Sequence, residues 1–240
     1  MIIDIVTIFP DFFNEFLRTS IIKRAQDNNQ VVINVHNLRD YSDNKHHQVD
    51  DTPYGGGVGM VMMFPPFYRI IKALKKENSK VIFLTPQGNV FNQSMAETFT
   101  SYEHIILLCG HYEGLDARVL ELVDLEVSIG DYVLTGGEIP AMILVDAVTR
   151  LIPGVIMEES HQTDSLTNNR LKFPQYTKPE CFEGFKVPEV LLSGHHKNIA
   201  DYRQYMSIET TIQKRPDLIE KFPLTKEELK IIKKGIEKNK

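Results

Sequence analysis

Only two cysteines, Cys109 and Cys181, occur among 240 residues. They are too few and too far apart for a disulfide framework, so the chain reads as a reduced, cytoplasmic protein. No apolar run approaches the roughly 18–20 residues needed to cross a bilayer, and no membrane partner is expected. The start, Met1-Ile2-Ile3-Asp4-Ile5, has no basic region and carries an acid inside its apolar stretch, which does not fit a signal peptide. No G-x-x-x-x-G-K-[ST] run is present, which excludes a P-loop. The glycines at 55, 56, 57 and 59 are followed by Met60, so G-x-G-x-x-G fails and with it a dinucleotide fingerprint. H-E-x-x-H and C-x-x-C are also missing. His46-His47 and His195-His196 are adjacent pairs whose side chains need not converge, so no zinc site is expected.

What is present is ordinary for a globular chain: 42% hydrophobic and 25% charged residues, with a net charge of −5. The distribution of that charge is not even. Residues 1–169 carry 12 basic and 22 acidic side chains, whereas residues 170–240 carry 15 basic and 10 acidic. An acidic first part joined to a basic last part suits a polyanion-binding appendage, although a solvated helical tail has the same signature.

Periodicity divides the chain in the same way. Strand-like runs are expected at Ile2 to Phe9, Val31 to Val35, Lys80 to Leu84, His104 to Cys109 and Glu126 to Ile129. Helical spacing is expected over 11–27, 66–76 and 138–151. Strands alternating with helices predict an α/β fold built on a mainly parallel sheet. Residues 158–172 are polar and aperiodic, which reads as a long loop, and the chain beyond becomes helical. Thr225 and Glu228 form a capping-box pattern ahead of Leu229, Ile232 and Ile236. The expected division is 1–160, a linker or lid over 161–175, and a smaller helical domain over 176–240.

Three of the strands end in glycine- or proline-rich turns: Thr85-Pro86-Gln87-Gly88, Cys109 to Gly114, and Ser128 to Glu138. Ligands of parallel α/β sheets bind beyond the carboxyl ends of the strands. Glycine there lets backbone approach a ligand without a Cβ in the way. Any one of these turns reads equally as a tight strand-to-helix connection; three together point to a shared pocket. Asp164, in the polar stretch, is followed as an acid that could accept a proton, with Arg150 at the end of the preceding helix. An isolated loop Asp is more often a turn or cap residue.

These motifs, taken in order, resemble the bacterial tRNA (guanine-N1)-methyltransferases of the SPOUT class. The matching runs include Ile8-Phe9-Pro10, Pro53-Tyr54-Gly55-Gly56-Gly57, Pro86-Gln87-Gly88, Cys109 to Gly114, Ser128 to Glu138, Arg150 to Val155, Asp164-Ser165, Pro174 to Pro179 and Val187 to Gly194. The resemblance implies a sheet with a deep trefoil knot near residues 80–140, plus a smaller α-helical C-terminal domain that binds tRNA. It implies S-adenosyl-L-methionine as methyl donor, held by Phe83, Leu84, Pro86, Gly110, Tyr112, Glu113, Ser128, Ile129, Gly130, Asp131, Tyr132, Val133, Leu134, Gly136, Gly137 and Pro140. It further implies transfer to N1 of the guanine at tRNA position 37, with Asp164 as general base and Arg150 orienting the guanine and stabilising charge on its O6. Partners would be that tRNA and a second copy of the chain in a homodimer, whose site combines the knot of one subunit with the linker of the other.

The chain departs from the family pattern in the linker. An acid usually precedes the Pro-x-Tyr-Thr motif, and Lys172 stands there instead. Mg2+, which supports catalysis in the family, is therefore in doubt here, and the metal ligands stay unassigned. The favoured reading of Lys172 is contact with an RNA phosphate; the alternative is a stand-in for the metal's charge. Asn169 replaces a glycine, which suits a position with positive φ. Lys178 stands where arginine is frequent. Two other functions stay open at this point: an RNA-binding protein of the same fold without turnover, and an active enzyme with another RNA target.

Overall fold

In the computed structural model, residues 1–157 and 164–238 are described, with side chains through residue 235. The chain divides into two compact units, Met1–Glu158 and Glu159–Lys240.

The first unit is built on a five-stranded, all-parallel sheet: β1 (Ile2–Thr7), β2 (Val32–Asn37), β5 (Ser79–Val90), β6 (His104–Cys109) and β7 (Leu125–Ser128), in the order β2-β1-β6-β5-β7. A two-stranded antiparallel pair, β3 (Asp50–Asp51) and β4 (Val61–Met62), stands beside it. β6 occupies the centre and is buried at every position. A strand covered on both faces needs apolar side chains on both, and His-Ile-Ile-Leu-Leu-Cys supplies them. Ile105, Leu107 and Cys109 enter one core with Ile3, Ile5, Ile82 and Leu84; Ile106 and Leu108 enter the other with Val6, Val81 and Phe83. Helices α2 (Ser20–Asp27), α4 (Gln93–Phe99) and α5 (Glu138–Thr149) cover the first core, and α3 (Phe64–Leu74) covers the second. Each fully buried aliphatic side chain contributes roughly 1.5–3 kcal/mol, so the two-sided core dominates this unit's stability.

Two expectations need correction. The helical spacing over 11–27 is not one helix: a 3-10 turn (Pro10–Phe13), a short α1 (Asn14–Leu17) and α2 follow one another, broken where Ser20 adopts φ 50°. The third strand does not end at Leu84. Leu84 and Asn89 both pair with Val127, so residues 85–88 bulge out and β5 resumes to Val90. Gly88 permits this, because a Cβ there would lie 2.3 Å from the Val127 amide nitrogen.

The second unit is mainly helical: α6 (Glu189–Leu192), α7 (His196–Lys214), α8 (Pro216–Lys221) and α9 (Lys226–Lys238). A small hairpin, β8 (Cys181–Phe182) with β9 (Phe185–Lys186), precedes them and was not anticipated. Its core is modest, with Ile208, Thr211 and Leu218 buried. The capping box forms as read: the Thr225 amide donates to Glu228 Oε2 at 2.8 Å, and the Glu228 amide donates to Thr225 Oγ1 at 3.2 Å.

Candidate active site

The three turns meet around a cavity of about 500 Å3 at the carboxyl ends of β5, β6 and β7. That volume is in the range of small-molecule sites, roughly 300–1,000 Å3. The β5 bulge contributes Phe83, Leu84 and Pro86, with Thr85 and Gln87 beside them. The turn after β6 contributes Gly110, Tyr112 and Glu113; Tyr112 takes φ 58° to make it. The Glu113 amide donates to the Met60 carbonyl at 3.0 Å, which fixes the turn from the side of β4. The turn after β7 contributes Ser128, Ile129, Gly130, Tyr132, Val133, Leu134 and Gly136, and Pro140 comes from the start of α5. Ser128 Oγ accepts from the Gly130 amide at 3.1 Å, so the side chain that ends the strand also shapes the turn.

Two residues expected at the ligand, Asp131 and Gly137, are not in the cavity wall. Asp131 is exposed. Gly137 faces the protein: a Cβ would fall 2.6 Å from Cys109 Cα, and its amide donates to the Gly110 carbonyl at 3.0 Å. It joins the second turn to the third without touching the space between them.

The sequence reading missed the back of the cavity. His111 Nε2 lies 2.7 Å from Glu138 Oε2, Thr7 Oγ1 donates to Glu138 Oε1 at 2.6 Å, and the Phe9 amide donates to Thr7 Oγ1 at 2.9 Å. Glu138 is 3% exposed, so a buried carboxylate is satisfied on both oxygens by two side chains, Thr7 at the end of β1 and His111 in the turn after β6. His111 lines the cavity, and its place inside the Cys109–Gly114 turn was the only signal for it. Burial, together with the nearby Glu138 charge, pushes the Cys109 thiol well above its ordinary value. It is a packed neutral thiol and no nucleophile.

Arg150 caps the C-terminus of α5, its amide donating to the Asp146 carbonyl at 3.2 Å. It belongs to the first unit and Asp164 to the second. One neighbour of Asp164 is cationic: Lys172 Nζ lies 3.2 Å from Asp164 Oδ1, both side chains partly buried. Asn169 has φ 57°, the conformation that suits Asn in place of Gly. Among the described residues no three His, Cys, Asp or Glu side chains converge on a cation site. An ammonium 3.2 Å from the Asp164 carboxylate does not fit a divalent ion there.

A further cavity of about 620 Å3 lies within the second unit, walled by Phe173, Tyr176, Lys178 and Arg203 among others. The Arg203 guanidinium sits 5.1 Å above the Phe173 ring centre. Burial and the neighbouring Tyr176 raise the Tyr202 hydroxyl above its ordinary value. Aromatic faces beside fixed cations suit bases and phosphates.

The family model for tRNA (Guanine-1)-methyltransferase TrmD matches residues 1–221. The chain belongs to this family. Curated relatives agree along the full length: a tRNA (guanine-N(1)-)-methyltransferase of Aster yellows witches'-broom phytoplasma (strain AYWB) is 56% identical over 234 residues, 97% of each chain. One of Acholeplasma laidlawii (strain PG-8A) is 55% identical over 240 residues, covering 100% of this chain and 98% of the relative. One of Staphylococcus aureus (strain JH9) is 51% identical over 237 residues, 98% and 97% of the two chains. The TrmD family is of the SPOUT class, and the parallel α/β sheet of the first unit agrees with that class.

Proposed function

We propose that the chain transfers the methyl group of S-adenosylmethionine to N1 of the guanine at position 37 of tRNA. Membership in the TrmD family makes it a tRNA (guanine-N1)-methyltransferase. The observation that carries the assignment to a site is the 500 Å3 cavity walled by three turns at neighbouring strand ends. Its residues fit the methyl donor: glycines at 110, 130 and 136 open backbone groups toward an adenosine, and Phe83, Leu84 and Pro140 give it an apolar bed. When bound, the donor supplies a methyl group on a sulfonium, already a good leaving group.

The protein's task is then positioning and one proton. N1 of guanine carries a hydrogen, so its lone pair is unavailable until a base accepts the proton; Asp164 is that base. As N1 loses the proton and attacks the methyl carbon, charge moves toward O6, where Arg150 stabilises it. The bound donor would supply the methyl group as the electrophile and leave as the neutral thioether S-adenosylhomocysteine, its sulfur keeping the C–S bond electrons. The guanine must leave its stack to be reached.

The same reading assigns a trefoil knot to the 80–140 region, residues 161–175 to a lid and residues 176–240 to a tRNA-binding domain. Residues 158–163, which include the start of that lid, lie outside the described residues. The basic balance of residues 170–240 and the Tyr176–Arg203 cavity support the tRNA contact. A homodimer is supported by α5, which is apolar on nearly every side yet leaves Ile139 44% and Ile143 39% exposed. No helix among the described residues is long and apolar enough to cross a membrane, in keeping with a cytoplasmic reading.

Asp164→Asn tests the assignment. Methyl transfer is expected to fall by at least roughly 10²-fold, the scale of a lost general base, with S-adenosylmethionine affinity within about twofold of the parent by calorimetry. Near-parental transfer in this variant would remove Asp164 from the role.

A further inference from the structure

The segment that carries Asp164 is fastened at several points within the second unit. It closes on itself first: the Leu166 amide donates to the Arg170 carbonyl at 2.8 Å, and the Asn169 amide donates to the Leu166 carbonyl at 3.1 Å. The Lys172 amide donates to Ser165 Oγ at 2.9 Å, which brings the two ends of the loop together. Helix α7 then holds its far side, with the Leu171 amide donating to Thr211 Oγ1 at 2.8 Å and Ser207 Oγ donating to the Leu171 carbonyl at 2.6 Å.

Helix α9 holds its tip. Arg170 grips Glu228 with two parallel contacts, Nε to Oε1 at 2.8 Å and Nη2 to Oε2 at 3.0 Å. The pair is 11% and 15% exposed, a fork geometry shielded from water. Burial pushes the Glu228 carboxyl up, but the hydrogen bonds and charge of Arg170 and the Thr225 contacts outweigh it, leaving the acid below its ordinary value.

An exposed Lys–Asp pair contributes little, because two long side chains must be ordered in water. Lys172 differs in its setting: its backbone is pinned to Ser165, so the side chain starts from a fixed point, and the Lys172 and Asp164 side chains are only 25% and 23% exposed. We propose that Lys172 is a positioning residue for the reaction, a built-in cation that aims and electrostatically balances the Asp164 carboxylate, on a loop that Arg170 and Glu228 fix to the terminal helix. This rests on Asp164 being the base. Lys172 then serves the carboxylate ahead of any phosphate.

The test is steady-state methyl transfer to guanine-37 tRNA by full-length Lys172→Met, Lys172→Arg, Arg170→Leu and Asp164→Asn, each checked for fold by circular dichroism and for S-adenosylmethionine affinity. Lys172→Met is expected to lower kcat about tenfold with KM for tRNA within about twofold, and Lys172→Arg to restore most of it. Arg170→Leu is expected to lower kcat in the same direction while keeping methyl-donor affinity, and it reads the same strap if Lys172→Met is poorly folded. A raised KM with unchanged kcat in Lys172→Met would make Lys172 an RNA contact and overturn the proposal; so would parental kinetics in a folded Lys172→Met, whatever Arg170→Leu shows. Failure of the base assignment is read separately: an active Asp164→Asn sinks that assignment, whereas an inactive Asp164→Asn beside a parental Lys172→Met sinks only the proposal made here.

Discussion

A methyl group added at Gly88 would lie 2.3 Å from the Val127 amide nitrogen and 2.4 Å from the Glu126 carbonyl carbon. Both are backbone atoms of β7 and cannot swing away, so β5 and β7 would have to part where the first cavity turn leaves the sheet. Gly88→Ala is expected to destabilise the first unit by about 1–3 kcal/mol, on the scale of overpacking, and to weaken S-adenosylmethionine binding; urea unfolding and calorimetry measure the two. At the opposite ends of the strands, Asp4 accepts from Asn34 at 2.8 Å and contacts His36 at 3.0 Å and His104 at 2.7 Å. Burial pushes its carboxyl up, but the hydrogen bonds from His36, Asn34 and His104 outweigh it and hold the group below its ordinary 3.8. A lowered folded value means that the stabilisation is fully present above the unfolded value and is lost as pH falls through the folded one. Thermal unfolding of the parent is therefore expected to steepen in its pH dependence below about pH 4, and Asp4→Asn to be less stable at neutral pH with a shallower acid limb. Neither feature was legible in the sequence. Asp4 reads there as an acid interrupting an apolar strand, because its partners come from β2 and β6, 30 and 100 residues away.

At the level of elements, patterns with a local cause were legible. β6 was read at its true bounds because its apolar run is closed by Glu103 on one side and Gly110 on the other. The capping box was read because both of its hydrogen bonds lie within four residues. Thr225→Ala is expected to remove one of them and lower the stability of the second unit by about 1 kcal/mol, seen as an earlier urea midpoint with unchanged methyl-donor affinity. What depends on distant chain was not legible. The β5 bulge exists because Asn89 re-enters the ladder at Val127, a partner 38 residues on, and no periodicity within 80–90 marks it. The polar stretch before Pro174 reads as loose by composition. Its described part is held by Thr211, Ser207 and Glu228, whose side chains approach from 36 to 58 residues away.

Across the whole molecule charge changes sign close to, though not at, the boundary between the two units. The acidic residues 1–169 contain the three turns and their cavity, and the basic residues 170–240 contain the aromatic and cationic groove. A methyl donor needs close, dry walls, which a parallel sheet supplies at its strand ends; a tRNA needs cations spread over a surface. Fourteen of the sixteen residues expected at the methyl donor line one cavity, and the exceptions are the exposed Asp131 and the inward-facing Gly137. That much was legible because the turns are contiguous in sequence. The Thr7–Glu138–His111 contacts behind them were not, since Thr7 and Glu138 stand 131 residues apart.

The most direct measurement of the central claim is transfer of labelled methyl from S-adenosylmethionine to unmodified tRNA with guanine at position 37, beside the same tRNA with adenine there. The expected result is label on the guanine tRNA alone, recovered as N1-methylguanine after digestion. Equal labelling of both tRNAs, or none while tRNA and S-adenosylmethionine both bind, would contradict it.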